Sequence, residues 1–173
     1  DNTSYSTCSI TVTDPAGNPS TALSVNTFIV DTTAPTVSST SPDDNDSSVS
    51  VSDNISVIFS ESMDNTSVTT NTSNTTCSGY SFQVSSDNFS SCVQMSSSPS
   101  SSDNLTFTVT PSLKMFYSTT YKIRVTTAVK DSAGNSLASD NDTNVFKTTI
   151  TVPMTAGFAH SCFMLDNGSV KCW

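Results

Sequence analysis

The sequence predicts an all-β chain whose centre, from Pro35 to about Val152, is a two-sheet sandwich, with incomplete β modules at both ends. Three observations predict it. Apolar residues recur at every second position in short runs, most clearly Tyr121, Ile123 and Val125 against Lys122, Arg124 and Thr126, which is the period of a strand with one wet face. Charged residues are 12% of the chain and apolar ones 34%, with Ser, Thr and Asn filling most of the rest; these residues compete with helical hydrogen bonds, and β-branched Thr favours strands. The runs are separated by Gly, Pro, Asp and Asn at the roughly 8–15 residue spacing of a sandwich. Nine Phe and four Tyr give those strands something to bury, which argues against disorder.

In chain order, Ser9 to Thr13 and Leu23 to Val30 are the first strand candidates, joined through Asp14-Pro-Ala-Gly-Asn18. The same turn chemistry returns at Asp131-Ser-Ala-Gly-Asn135, an offset of 117 residues (131 − 14). Such a recurrence marks an internal repeat, and residues 1–34 are expected to be the terminal strands and linker of a preceding module. Pro35 holds Ala34 extended and opens the central domain. Strands are expected at Val37 to Thr40, Ile55 to Phe59, Tyr80 to Val84, Val93 to Met95, Leu105 to Val109, Tyr121 to Val125 and Val145 to Val152. Ile58 suggests a second buried side for one of them. Pro42 to Asp46 reads as a turn, Thr66 to Thr76 as a long polar loop, and Leu113 to Phe116 as a plug over one end. From Ala156 to Trp173 the character changes, and Asp166-Asn-Gly168 reads as a hairpin turn; residues 153–173 look like the opening of another module.

Charge excludes some functions. The formal net charge is −9, which opposes nucleic acid, whose phosphates call for basic surface. Of the 15 acidic residues only Glu61 is a glutamate, and Asp suits turns and calcium. Asp14, Asn18 and Asp31, with Asp43, Asp44 and Asp46, are the candidate calcium ligands; the competing account is that Asp14 and Asn18 cap a turn as Asp131 and Asn135 do. There is no apolar run long enough to span a membrane and no basic-then-apolar signal segment, so the first residue is read as the start of a mature piece or a fragment. Glu61 and Asp64 read as solvated turn residues, not a catalytic pair, for want of an apolar wall to raise one pKa. No nucleophile elbow or phosphate loop occurs, and His160 beside Cys162 makes no triad. No enzyme is expected.

Five cysteines in a chain rich in Ser and Thr and poor in Lys and Glu imply an extracellular, oxidising setting, with bridges Cys77 to Cys92 and Cys162 to Cys172 and with Cys8 unpaired within the chain. The Asn-x-Ser/Thr acceptors at Asn2, Asn45, Asn54, Asn65, Asn71, Asn74, Asn88, Asn104, Asn141 and Asn167 are numerous, and sugar on the Asn65 to Asn74 loop is physically tolerable.

The segments FSESMD (Phe59 to Asp64), TTYKIRV (Thr119 to Val125) and VKDSAGNSL (Val129 to Leu137) resemble a bacterial Ig-like module of the kind strung in tandem in large secreted and surface proteins. The resemblance implies an Ig-like Greek-key β-sandwich over residues 35–152. ITVTDPAGN (Ile10 to Asn18) and VDTTAP (Val30 to Pro35) resemble the end of another such repeat with its linker, and AGFAHSC with NGSVKCW resembles the start of a secreted RCC1-type repeat. Such modules act as spacers, stalks or adhesive units, with no catalytic residues to carry over; Cys77 and Cys92 depart from the common pattern. The expected role is a structural or adhesive module of an extracellular or cell-surface multidomain protein or filament, partnered by neighbouring modules or copies. The alternative is a carbohydrate- or protein-binding module that uses its Ser/Asn-rich loops.

Overall fold

The computed structural model describes residues 3–149, 162–164 and 170–172. Their contacts divide the chain into two compact units, Asp1–Ala34 and Pro35–Trp173.

In the first unit, β1 (Thr3–Tyr5) pairs antiparallel with β4 (Phe28–Val30), and β2 (Ser9–Ile10) with β3 (Leu23–Ser24). The longer strand expected over Leu23 to Val30 is therefore two short ones. No described residue before Ala34 is buried. Ile10, Val12, Leu23 and Ile29 are more than half exposed, while Tyr5 and Phe28 stack with ring centroids 5.2 Å apart. Two short hairpin pairs cannot enclose a core of their own.

The second unit holds two open sheets and, among its described residues, one further two-stranded hairpin. One has the order β5 (Val37–Ser41), β7 (Ile55–Phe59), β9 (Thr106–Val109); the other has β6 (Asp46–Val49), β11 (Asn141–Thr148), β10 (Thr120–Val125), β8 (Phe82–Ser85). Every pairing is antiparallel except β6 with β11, which is parallel. This is the expected all-β sandwich. The period-2 pattern sends Ile55, Val57 and Phe59 of β7, Phe107 and Val109 of β9, and Tyr121, Ile123 and Val125 of β10 into one shared core. Phe59 and Phe107 meet edge to face at 5.8 Å, and Tyr121 stacks on Phe146 at 5.6 Å. The Tyr121 hydroxyl accepts the Phe116 N–H at 2.8 Å, which satisfies its polar tip. Later in the chain, β12 (Cys162–Met164) and β13 (Val170–Cys172) form a hairpin that sets Cys162 opposite Cys172.

Four details differ from the sequence expectation. Asp46–Val49, read as leading out of a turn, is strand β6, held by its parallel pairing to β11 rather than by apolar alternation. Val93 to Met95 is no strand: Met95 is fully buried and bridges only Pro111. Ile58 is 37% exposed, so β7 has a single buried face. The Thr66 to Thr76 loop is half inside, with Val68, Thr70 and Asn71 buried. Its backbone serves as a partner for the strand side, since Thr69 O accepts from Phe82 N and Asn71 O from Met95 N; buried backbone groups need such partners. Leu113 to Phe116 does plug one end, but only through Met115, whose N–H reaches Val51 O at 2.9 Å; Leu113 and Phe116 project outward.

Candidate functional site

The chain's two Asp-x-Ala-Gly-Asn segments fold into the same turn. In the first unit Asn18 donates its backbone N–H to Asp14 Oδ1 (2.9 Å) and its Nδ2 to Asp14 Oδ2 (3.0 Å). In the second, Asn135 does the same to Asp131, at 2.8 Å in both bonds. Each Asp N–H returns to the Asn carbonyl at 3.0 Å, and each turn places a glycine, Gly17 or Gly134, at φ near +90°, a conformation only glycine adopts freely. Their environments differ: Asp131 is 2% exposed, whereas Asp14 is exposed. The Asn18 bonds hold the Asp14 carboxyl below its ordinary value. Burial pushes Asp131 up, but the bonds from Asn135, Ala133 and Gly134 outweigh it and the net shift is downward.

The likeness extends through the flanking strands at the same 117-residue offset. In the first unit Thr3 faces Val30, Ser4 faces Ile29 and Tyr5 faces Phe28. In the second Thr120 faces Lys147, Tyr121 faces Phe146 and Lys122 faces Val145, and each number is the first one plus 117. The bond from Ser20 N to Val12 O likewise matches that from Leu137 N to Val129 O. The shared turn was legible as sequence; the shared register was not, because Ser4 and Tyr121 have nothing in common as side chains.

The calcium candidates fall into both units: Asp14, Asn18 and Asp31 in the first, Asp43, Asp44 and Asp46 in the second. Asp14 is engaged by Asn18. Asp44 accepts Val145 N–H at 2.9 Å and Asn45 Nδ2 at 2.8 Å, and Asp46 accepts Ser48 N–H at 2.8 Å. Asp64 is a turn residue that accepts the Thr66 hydroxyl and N–H, which lower its pKa; Glu61 is half-buried. His160 lies outside the described residues.

Cys77 and Cys92 are joined, with Cα atoms 5.2 Å apart, and both are buried. Their bridge closes a segment around β8 rather than crossing a hairpin, because Cys92 lies in irregular chain anchored by Thr75 O. Inside that loop Gln83 Nε2 donates to Cys77 O and Tyr80 O. Cys162 is disulfide-bonded, and Cys8 is a half-buried free thiol. Of the glycan acceptors, Asn71 is fully buried with its Nδ2 donating to Asn74 O, which corrects the expectation that sugar is tolerable along that whole loop. Asn74 is exposed, and Asn2 and Asn167 lie outside the described residues. A groove of about 310 Å³ runs past Cys92, Gln94, Leu113, Phe116 and Tyr121. The exposure of Leu113 and Phe116 on its rim had no signal in the sequence, where both read as plug residues.

The model of the bacterial Ig-like domain family matches residues 31–149. Among solved structures, this chain is similar to three of bacterial surface layers. The crystal structure of the S-layer protein rSbsC(31-844) is 21% identical with a TM-score of 0.47, covering 70% of this chain and 14% of that one. The structure of surface layer protein SbsC, domains 1-6, gives 21% and 0.48 over the same shares, and the N-terminal part of the bacterial S-layer protein SbsC gives 21% and 0.48 over 70% of this chain and 25% of that one. The chain thus spans at most a quarter of the length of these structures. No curated protein matches it.

Proposed function

Because this chain belongs to the bacterial Ig-like domain family, matched over residues 31–149, we propose that it is a structural or adhesive module of an extracellular, multidomain surface protein. Its sandwich is a non-catalytic unit of that family. The observation that carries the tandem part of the proposal is the hairpin repeated in register, Thr3 opposite Val30 and Thr120 opposite Lys147. Residues 1–34 are on this reading the last strands and linker of a second Ig-like domain. The Cys77–Cys92 bridge supports an oxidising, extracellular setting. Residues 153–173 are read as the start of an RCC1-type repeat, of which the β12–β13 hairpin is the described part.

Neighbouring modules of the same protein, or neighbouring copies in a fibre, are the partners this role requires. Calcium is proposed at Asp14, Asn18 and Asp31 and at Asp43, Asp44 and Asp46, where it would compete with the bonds Asp14 takes from Asn18 and Asp44 from Asn45. A second reading, binding of a carbohydrate or protein by the Ser/Asn-rich loops, is supported by the exposed residues Thr72 to Thr76. Electron microscopy of the native protein tests the main proposal: a string of sandwich-sized domains is expected, and a single compact particle with no further domains would reject it. Loss of glycan-array or pull-down binding on deleting Thr72 to Thr76 would favour the second reading.

A further inference from the structure

We infer that the β1–β4 hairpin is an acceptor for two further strands of an Ig-like domain, an antiparallel one on the open edge of β1 and a parallel one on the open edge of β4. This rests on the reading of residues 1–34 as the end of a second such domain and adds to it which edges are filled, in which direction and in which register. In the second unit the hairpin made by β10 and β11 is covered on both sides. The outer edge of β10 carries β8, with Lys122 opposite Ser85, Ile123 opposite Val84, Arg124 opposite Gln83 and Val125 opposite Phe82. The outer edge of β11 carries β6 in parallel, with Phe146 opposite Asp46 and Thr148 opposite Val49.

Subtracting 117 transfers this pattern to the first unit. The incoming antiparallel strand sets its equivalents of Ser85, Val84, Gln83 and Phe82 against Tyr5, Ser6, Thr7 and Cys8. The parallel strand sets its equivalent of Asp46 against Ile29. Among the described residues β1 and β4 pair only with each other, and a strand edge with open N–H and C=O groups recruits partners. Burial points the same way. Phe146 and Val129 are fully buried in the second unit, whereas their counterparts Ile29 and Val12 are 65% and 68% exposed. Cys8 occupies the place of Val125, which is 1% exposed. The hairpin therefore presents core positions without a core, and what covers those positions in the repeat is visible in the same chain.

The test extends the full chain at its start with a second copy of residues 35–117 joined directly to Asp1, because position 118 of the repeat corresponds to Asp1 (118 − 117). Amide hydrogen exchange of Thr3 to Tyr5 and Phe28 to Val30 is compared between extended and unextended chains. Protection is expected to rise at least ~100-fold on extension, the change that accompanies a strand's passage from a fraying edge to a folded sheet. Register is read by oxidation: Phe82→Cys in the added copy should bridge to Cys8, and Val84→Cys in the added copy should not. Should the grafted interface pack poorly, Ser4→Tyr with Ser6→Ile restores the side chains that β10 carries at these positions. Unchanged exchange in both the original and this restored version would overturn the inference. So would equal bridging at positions 82 and 84. Protection that already exists in the unextended chain and grows with its concentration would assign the edges to a second copy and overturn it as well. A compact native particle without further domains would reject the tandem reading while leaving these edge measurements as they are, so the two failures are distinguishable.

Discussion

Asp131 and Asn135 are tied by three hydrogen bonds, from Asn135 N and Nδ2 to the carboxylate and from Asp131 N back to Asn135 O. The turn they make joins Val129, fully buried, to Leu137, 6% exposed, so its two flanks and Asp131 are anchored in the core while Ser132, Ala133 and Gly134 stay exposed. Asp131→Ala is expected to destabilise the sandwich by about 2 kcal/mol, since it strands the part-buried N–H groups of Ala133 and Asn135. Asp14→Ala removes the same bonds from an exposed turn and should shift the main thermal transition negligibly. Equal shifts for the two variants in calorimetry would refute this account.

The Cys77–Cys92 bridge spans a sequence separation of 15. Cys77→Ser with Cys92→Ser should lower stability by about 3 kcal/mol, the loop-closure entropy returned to the unfolded chain. Thermal unfolding with and without a reductant checks it: the sandwich transition of the native chain should fall on reduction, and that of the double variant, whose remaining bridge is at Cys162, should not move.

Packing predicts a sharp contrast between equivalent positions. Phe146→Ala removes a ring that stacks on Tyr121 in the core and should cost about 3–5 kcal/mol. Ile29→Ala, at the matching position of the first unit, should leave the denaturation midpoint of the sandwich in place. A comparable loss from Ile29→Ala would mean that the first unit supports the second one's fold.

Acid should weaken the domain in a defined window. Asp87 is held down to about 2 by the Ser91 hydroxyl and N–H and by Ser85, and Asp103 to about 2 by the N–H groups of Thr106 and Leu105; Asp131 is also lowered. For carboxyls depressed in the folded state, the stabilisation is fully present above the ordinary value of 3.8 and is lost as pH falls through the folded values. Denaturant midpoints should therefore be flat above about pH 5 and decline between about pH 4 and 2, modestly for groups as exposed as Asp87 and Asp103. Asp87→Asn with Asp103→Asn should flatten that fall, and an unchanged slope would remove these two groups as its cause.

Calcium gives the remaining prediction. Titration to millimolar concentration should raise a thermal transition by mass action, and Asp31→Ala should abolish the rise. No shift in the unaltered chain would leave Asp14 and Asn18 as a turn cap and nothing more.

What could be read from the sequence followed the side-chain pattern. β7 and β10 announced themselves because every second residue is apolar, and the Asp131 turn because its residue types are demanded by its backbone. β6 did not, since Asp46-Ser-Ser-Val49 owes its conformation to a parallel neighbour about a hundred residues away. Thr70 and Asn71 read as loop surface but are buried, because polar side chains do not report the backbone bonds that draw a loop inward. The repeated turn showed in the residue names, while the register that makes the two hairpins equivalent exists only in the pairing.

The parallel pairing of β6 with β11 also has a mechanical meaning. Parallel neighbours present the start of one strand and the finish of the other at opposite ends of the pair, so tension entering at Asp46 and leaving at Thr148 runs lengthwise along both. Their cross-links are then loaded together and must give way together, whereas an antiparallel pair pulled from its open end releases its bonds one at a time. Within this sandwich the β6–β11 seam is the one that a lengthwise pull between Asp46 and Thr148 would load in shear.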